Sequence, residues 1–190
     1  KPITVTADAG QTKVYGEADP VIIFSVAPAL VTGDSFSGEL SRATGEDVGL
    51  YAITQGTLTA GDNYDLSFVS SDFSISQKPI TVTADAGQTK VYGEADPVFT
   101  YSVAPALITG DSFSGELSRE TGENVGAYAI AQGTLTAGAN YDLSFVSSDF
   151  SITQKPITVT ADAGQTKVYG EADPVFTYEF APALESGDAL

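Results

Sequence analysis

KPITVTADAGQTKVYGEADP occupies residues 1–20, recurs unchanged at 78–97 and recurs again at 155–174. Both spacings are 77 residues, so the chain is a tandem array and every other segment is read against that period. Within the stretch, Ile3-Thr4-Val5-Thr6-Ala7 alternates, Asp8-Ala9-Gly10 interrupts, and Thr12-Lys13-Val14-Tyr15 resumes. This predicts two short strands joined by a bend, with Ile3, Val5 and Val14 inward and Lys13 in solvent. Tyr15 to Pro20 follows as a shaped connection, because Gly16 frees the backbone and Pro20 holds Asp19 extended.

Outward from there, Ile22, Phe24 and Val26 share one face of a strand. Phe99, Tyr101 and Val103 take the same places in the second copy, and Phe176, Tyr178 and Phe180 in the third. Ala27 to Ser35 holds the only candidate helical turn, and Val31, Ile108 and Glu185 at one of its positions predict a partly exposed site. Strands are further expected over 36–41, 48–54, 55–59, 64–69 and 73–75; Tyr64, Leu66 and Phe68 give the clearest two-residue period. No window carries a helical period. The expected fold is all-β: small β-rich modules, β-grasp-like or a β-sandwich, set end to end as an elongated rod.

The repeats are 1–77, 78–154 and a partial third, 155–190. The first two differ at 10 of 77 positions, including Asp47/Asn124 and Asp62/Ala139. Such near-identity makes a changed residue more informative than an unchanged one. Periodicity sets the length of a repeat and not its start, so 1–36, 37–113 and 114–190 is an equal division. Lys-Pro reads as a linker and favours the Lys1 start. Only Ser76-Gln77-Lys78-Pro79 separates Ile75 from Ile80, too short for a flexible tether, and proline stiffens it. The partial third repeat is expected to be disordered or completed by another chain.

The chain has neither cysteine nor histidine. Disulfides, thiolate metal sites and cysteine nucleophiles are excluded, and the usual general base near neutral pH is missing. Net charge is −17, with 10 acids against 3 bases in the first repeat, 9 against 3 in the second and 6 against 2 in the third. Evenly spread acid repels phosphate backbones, which argues against nucleic acid as a partner, and disfavours anionic membranes. Without an initiator Met, a signal peptide or an apolar run of about 18 residues, the chain reads as a fragment with its export signals elsewhere and no direct membrane insertion.

Candidate sites are few. Glu17 and Asp19 read better as turn residues bonding local backbone donors than as an acid–base pair. Asp62-Asn63-Tyr64-Asp65 has calcium-loop character, but Ala139 replaces Asp62 in the second copy. Asp34, Asp72, Asp111 and Asp149, near module ends, are the better calcium candidates, along with Asp188. Lys13 and Asn63, with Glu39 as the acid, would form an isopeptide bond only if Lys13 were buried. Its place in the alternation puts it in water. Thr4 and Thr6 form too sparse a row to bind ice. No catalytic residue and no cofactor follow from the sequence.

The pattern KPITVTAD…KVYGEADP, then GDSFSGELSR, YAI…GTL, NYDLSF and FSI resembles the MBG-type repeats of large bacterial cell-surface adhesins. It is specific at Tyr15-Gly16, Asp19-Pro20, Gly33-Asp34, Leu40-Ser41-Arg42 and Asn63-Tyr64 and at their equivalents 77 residues on. The resemblance implies a secreted or surface-anchored protein whose modules project an adhesive tip. The expectation is a non-enzymatic stalk segment whose partners are its neighbouring repeats. An array binding glycans or host glycoproteins by avidity, or a self-assembling filament completed by strand exchange, stands as the alternative.

Overall fold

A computed structural model describes all 190 residues, and its regular elements are sixteen short strands with no helix. They fall into two compact units. One comprises Lys1–Thr83, Ser102–Glu116 and Thr134–Val146; the other comprises Ala84–Tyr101, Leu117–Gly133 and Ser147–Leu190. The first therefore holds the whole of repeat one together with part of repeat two.

Repeat one contains β1 (Pro2–Ala7), β2 (Gln11–Val14), β3 (Phe24–Ala27), β4 (Ser41–Arg42), β5 (Gly49–Thr54), β6 (Asp65–Val69) and β7 (Asp72–Ser76). They form a three-stranded sheet, β3-β1-β6, and a four-stranded sheet, β2-β7-β5-β4. Val5 and Ala7 from the first sheet and Ile53, Phe73 and Ile75 from the second belong to one buried cluster with Leu40 and Leu58. Two sheets facing a shared core make the sandwich alternative the right one, and there is no helix for a sheet to grasp. Burying a side chain the size of Ile or Phe contributes about 1.5–3 kcal/mol, and the cores of these sheets carry the repeat without staples.

β1 and β2 form one bent ribbon and β6 and β7 another. The ribbons run parallel, Pro2 opposite Asp65 at one end and Val14 opposite Ser76 at the other. Thr6 faces Val69 and Gln11 faces Phe73, so the first ribbon advances by one more residue than the second between the sheets. That extra residue bends the ribbon in the manner of a bulge.

Several expectations change. In β2 the buried residue is Lys13 and Val14 is half-buried, the reverse of the expected facing, because the inward parity of Ile3, Val5 and Ala7 carries through the bend unchanged. The strand expected over 36–41 reduces to a bridge between Ser37 and Thr59 and the two residues of β4. Gly38, at φ +74°, sits so close to the Thr57 carbonyl that a Cβ would overlap it, and beyond this crossing the Glu39 carbonyl accepts the Thr57 N–H at 3.0 Å. The expected strand at 55–59 is likewise a turn followed by that bridge. The candidate helical turn is a β-turn, with the Asp34 N–H donating to the Val31 carbonyl at 3.0 Å. The four-residue linker is a single residue: β7 ends at Ser76 and β8 (Lys78–Ala84) begins after Gln77.

Repeat two follows the same element order, with β9 (Gln88–Val91), β10 (Tyr101–Ala104), β11 (Ser118–Arg119), β12 (Gly126–Ala131), β13 (Tyr141–Val146) and β14 (Asp149–Thr153). Its sheets are β10-β8-β13 and β11-β12-β14-β9. The third repeat contributes β15 (Thr158–Ala161) and β16 (Tyr178–Ala181), paired in the register that β1 and β3 use.

Candidate functional site: an ion cluster and the joint beside it

Lys13 reaches the interior of repeat one because three charged partners meet it there. Its Nζ contacts Asp19 Oδ1 at 2.7 Å and Glu46 Oε2, and Arg42 closes the cluster with Nε on Asp19 Oδ2 at 2.7 Å and Nη2 on Glu46 Oε1 at 2.7 Å. Both basic side chains are nearly inaccessible, at 3% and 5% exposure, while the carboxylates lie at the surface. The Arg42 guanidinium also lies 5.0 Å from the Tyr51 ring centre and 5.4 Å from that of Phe73. Its Nη1 donates to the Gly45 carbonyl at 2.5 Å, which locks the 42–46 turn against the core.

The electrostatics follow from this arrangement. The Arg42 fork, assisted by Lys13 against the opposing effect of burial, holds the Asp19 carboxyl down at about 2. Lys13 and Arg42 lower Glu46. Burial works against the Lys13 charge, yet its bonds to Asp19 and Glu46 outweigh it and the pKa is raised. Asp19 thus serves two buried cations and not local backbone donors, and Lys13 is not the solvated residue its alternation implies. Repeat two builds the same cluster from Lys90, Asp96, Arg119 and Glu123. Glu17 stands apart, accepting the Val14 N–H at 3.2 Å.

Beyond the cluster, Tyr15 and Gly16 meet the next repeat. The Tyr15 ring packs against the core of repeat one and also against the cluster of Ile80, Ala137 and Tyr141. It meets the Tyr141 ring edge-on at 5.5 Å, and its hydroxyl donates to Asp111 Oδ2 at 3.0 Å. The same oxygen accepts the Tyr141 hydroxyl at 2.5 Å, and the Tyr141 oxygen accepts the Ile108 N–H at 2.8 Å. Asp111 thereby raises the Tyr15 pKa, while burial and then Asp111 raise that of Tyr141. Gly16 has φ +83°, and a Cβ there would overlap the Ile108 side chain, so both backbone and space require glycine. Asn140 completes the joint, accepting the Val48 N–H at 2.9 Å and donating to Asp47 Oδ1 at 2.8 Å.

The other unit contains the second joint. Tyr92 donates to Asp188 Oδ1 at 3.4 Å, and Glu185 lies against Gly93 and pairs with Lys155 at 2.5 Å. Position 31 differs in setting as well as in identity: Val31 is 56% exposed, whereas Ile108 is half-buried in the first joint.

Of the calcium candidates, Asp34 accepts the Tyr64 hydroxyl at 2.6 Å and Asp111 accepts two tyrosines, as given above. Asp72 and Asp149 open β7 and β14, Asp188 lies in the second joint, and no three carboxylates converge closely enough to hold a cation between them. Residues 61–64 make a turn, the Tyr64 N–H donating to the Gly61 carbonyl at 3.2 Å. Lys13 is buried as isopeptide chemistry would need, but its Nζ meets the Asp19 and Glu46 carboxylates; Asn63 is engaged through its backbone carbonyl, which accepts from the Lys1 α-amino group at 2.6 Å. The retention of Lys13, Asp19, Arg42 and Glu46 in the second copy was the available signal for the cluster. Near-identity of the copies drowned it.

Comparison with known families matches the MBG domain of the YGX type over residues 3–74, 80–151 and 157–190. No curated protein matches the chain.

Proposed function

Because this chain belongs to the MBG domain family of the YGX type, whose repeats are typical of surface proteins and form no known catalytic family, we propose that it is a non-enzymatic structural segment. In this reading it is part of a stalk that carries an adhesive region away from a bacterial cell, outside the membrane. Its partners are its neighbouring repeats and neither nucleic acid nor lipid. The observation that carries the reading is Tyr15, a single side chain packed into the clusters of two successive repeats. A connector of one residue, Gln77, adds to it, since its Nε2 donates to the Ala139 and Tyr141 carbonyls at 3.0 and 3.1 Å. A joint that packs a tyrosine against both repeats and fixes its linker resists bending.

Glycan capture by avidity would call for open ring faces. In the first two repeats every Tyr and Phe is buried or half-buried. Small-angle scattering over a dilution series, with and without calcium, tests the stalk. The expected result is one maximum dimension at all concentrations and in both ionic conditions. A profile of freely hinged beads overturns the reading. Growth with concentration would replace it by a filament, and stiffening on calcium would make the module-end carboxylates ligands.

A further inference from the structure

Repeat two has the Tyr15-Gly16 corner seated on it, and repeat one leaves the equivalent surface in solvent. Ala137 and Tyr141 are buried where Ala60 and Tyr64 are half-buried, and Ile108 and Asn140 are half-buried where Val31 and Asn63 are exposed. Those four positions are the footprint of the corner. In repeat one the same surface already has its receiving geometry. The Tyr64 oxygen accepts the Val31 N–H at 2.8 Å and its hydroxyl donates to Asp34 Oδ2 at 2.6 Å, as Tyr141 does with Ile108 and Asp111 at 2.8 and 2.5 Å. The turn beneath is the same too, the Asp34 and Asp111 N–H groups each donating at 3.0 Å to the carbonyl three residues back. Asp34 Oδ2 thus stands where Asp111 Oδ2 accepts its second hydroxyl, from Tyr15. The corner is pre-formed as well. Glu17, Glu94 and Glu171 close it with N–H bonds of 3.0–3.1 Å to Val14, Val91 and Val168, and the glycine between them has φ +83°, +88° and +91°. The third copy keeps this turn although it has no equivalent of β2, and its Tyr169 is fully exposed.

We propose that Val31, Asp34, Ala60, Asn63 and Tyr64 form a binding site on repeat one whose ligand is the Val-Tyr-Gly-Glu turn of another repeat, presented in solution by residues 168–171 of a second copy of this chain. Neither half has to reorganise for the other, which removes the ordering cost that weakens most small contacts. The contact sets one face of a copy on a different face of the next, so it is directional and does not close as a two-fold pair. It goes beyond the stalk reading, because it uses the geometry of a joint and not its stiffness. Between copies the Gln77 connector no longer holds the corner in place, and two chains of net charge −17 repel each other. The contact between copies is therefore of millimolar strength, too weak to lengthen the particle in the scattering series that tests the stalk.

The absence of cysteine makes the test direct, because a single introduced cysteine takes a spin label at one chosen site. Ala172 is beside the corner and exposed, as are its equivalents Ala18 and Ala95 in the two repeats whose corners are seated. The full chain carrying Ala172→Cys and the label is mixed at millimolar concentration with isotope-labelled full chain that carries neither, so that only contacts between copies are read. Paramagnetic broadening of the labelled chain's amides should concentrate at residues 31–34 and 60–64. Tyr169→Ala in the spin-labelled chain should abolish it; the side chain lies wholly in solvent, so this change does not disturb the fold. Tyr169→Phe should leave part of it, keeping the ring and losing the bond to Asp34. Broadening that is absent, spread over the whole surface or unchanged by Tyr169→Ala overturns the binding site and leaves the stalk standing. Broadening confined to the footprint, in a chain whose scattering is that of hinged beads, supports the site and overturns the stalk alone.

Discussion

Residues 1–20 and 155–174 are the same twenty amino acids in two environments. In repeat one they make β1 and β2, with Ile3, Val5, Ala7 and Lys13 buried. In the third they make only β15, four residues long and exposed throughout, with no equivalent of β2. The Lys13 side chain is 3% exposed and that of Lys167 is 47%, although each finds the aspartate six residues on. What differs is the rest of the repeat. β1 and β2 are held by parallel pairing with β6 and β7, about sixty residues away, and by Arg42 and Glu46. The stretch that identifies the repeat does not fold it; non-local pairing does.

The surest way to collapse that contrast is to empty the core. Phe73→Ala should cost about 3–5 kcal/mol and make residues 2–14 exchange amide hydrogens as readily as 156–168. Exchange that stays slow in β1 and β2 would mean that the stretch is held locally. Next comes Arg42→Ala, which strands Lys13 with two surface carboxylates and should cost about 2–3 kcal/mol in denaturant titration, while Arg42→Lys recovers part of the loss.

Acid should act on the same cluster more gradually. The Asp19 carboxyl is held at about 2 in the fold against an ordinary 3.8, so between these values the unfolded chain binds more protons than the native one. The stability it contributes is complete above about pH 4 and is lost as pH falls toward 2. Asp96, Glu46 and Glu123 are lowered too and act in the same sense. Unfolding followed against pH should show this slope, and Asp19→Asn should flatten it. The smallest effect belongs to Tyr15→Phe, which removes the bond to Asp111. It should cost about 1 kcal/mol, read as a broader distance distribution across the first joint with the exchange protection of β1 unchanged.

Much of this architecture is legible from alternation. The faces of β1, β3 and β6, the places of β5 and β7 to within one residue at their ends, and the lack of helix follow from period-two patterning and turn residues. Lys13 was not legible, because a lysine in an alternating run ordinarily points to water and only a distant arginine and two carboxylates make the interior tolerable. The crossing at Gly38 was hidden in a run that reads as strand. Tyr15-Gly16 could be seen as a signature but not as a joint, since its partners, Ile108, Asp111 and Tyr141, lie about a hundred residues further on.

The parallel course of the two ribbons has a mechanical consequence. Lys1 lies beside Asp65 at one end of the ladder and Ser76 beside Val14 and Tyr15 at the other. A pull applied through the chain enters repeat one at the head of the first ribbon and leaves at the tail of the second. To pass between them it must slide the ribbons along each other, loading the β1–β6 and β2–β7 hydrogen bonds side by side, where a hairpin would open them one at a time. Gln77 then hands the tension to β8 without slack. Each repeat is wired as a shear clamp in series with the next.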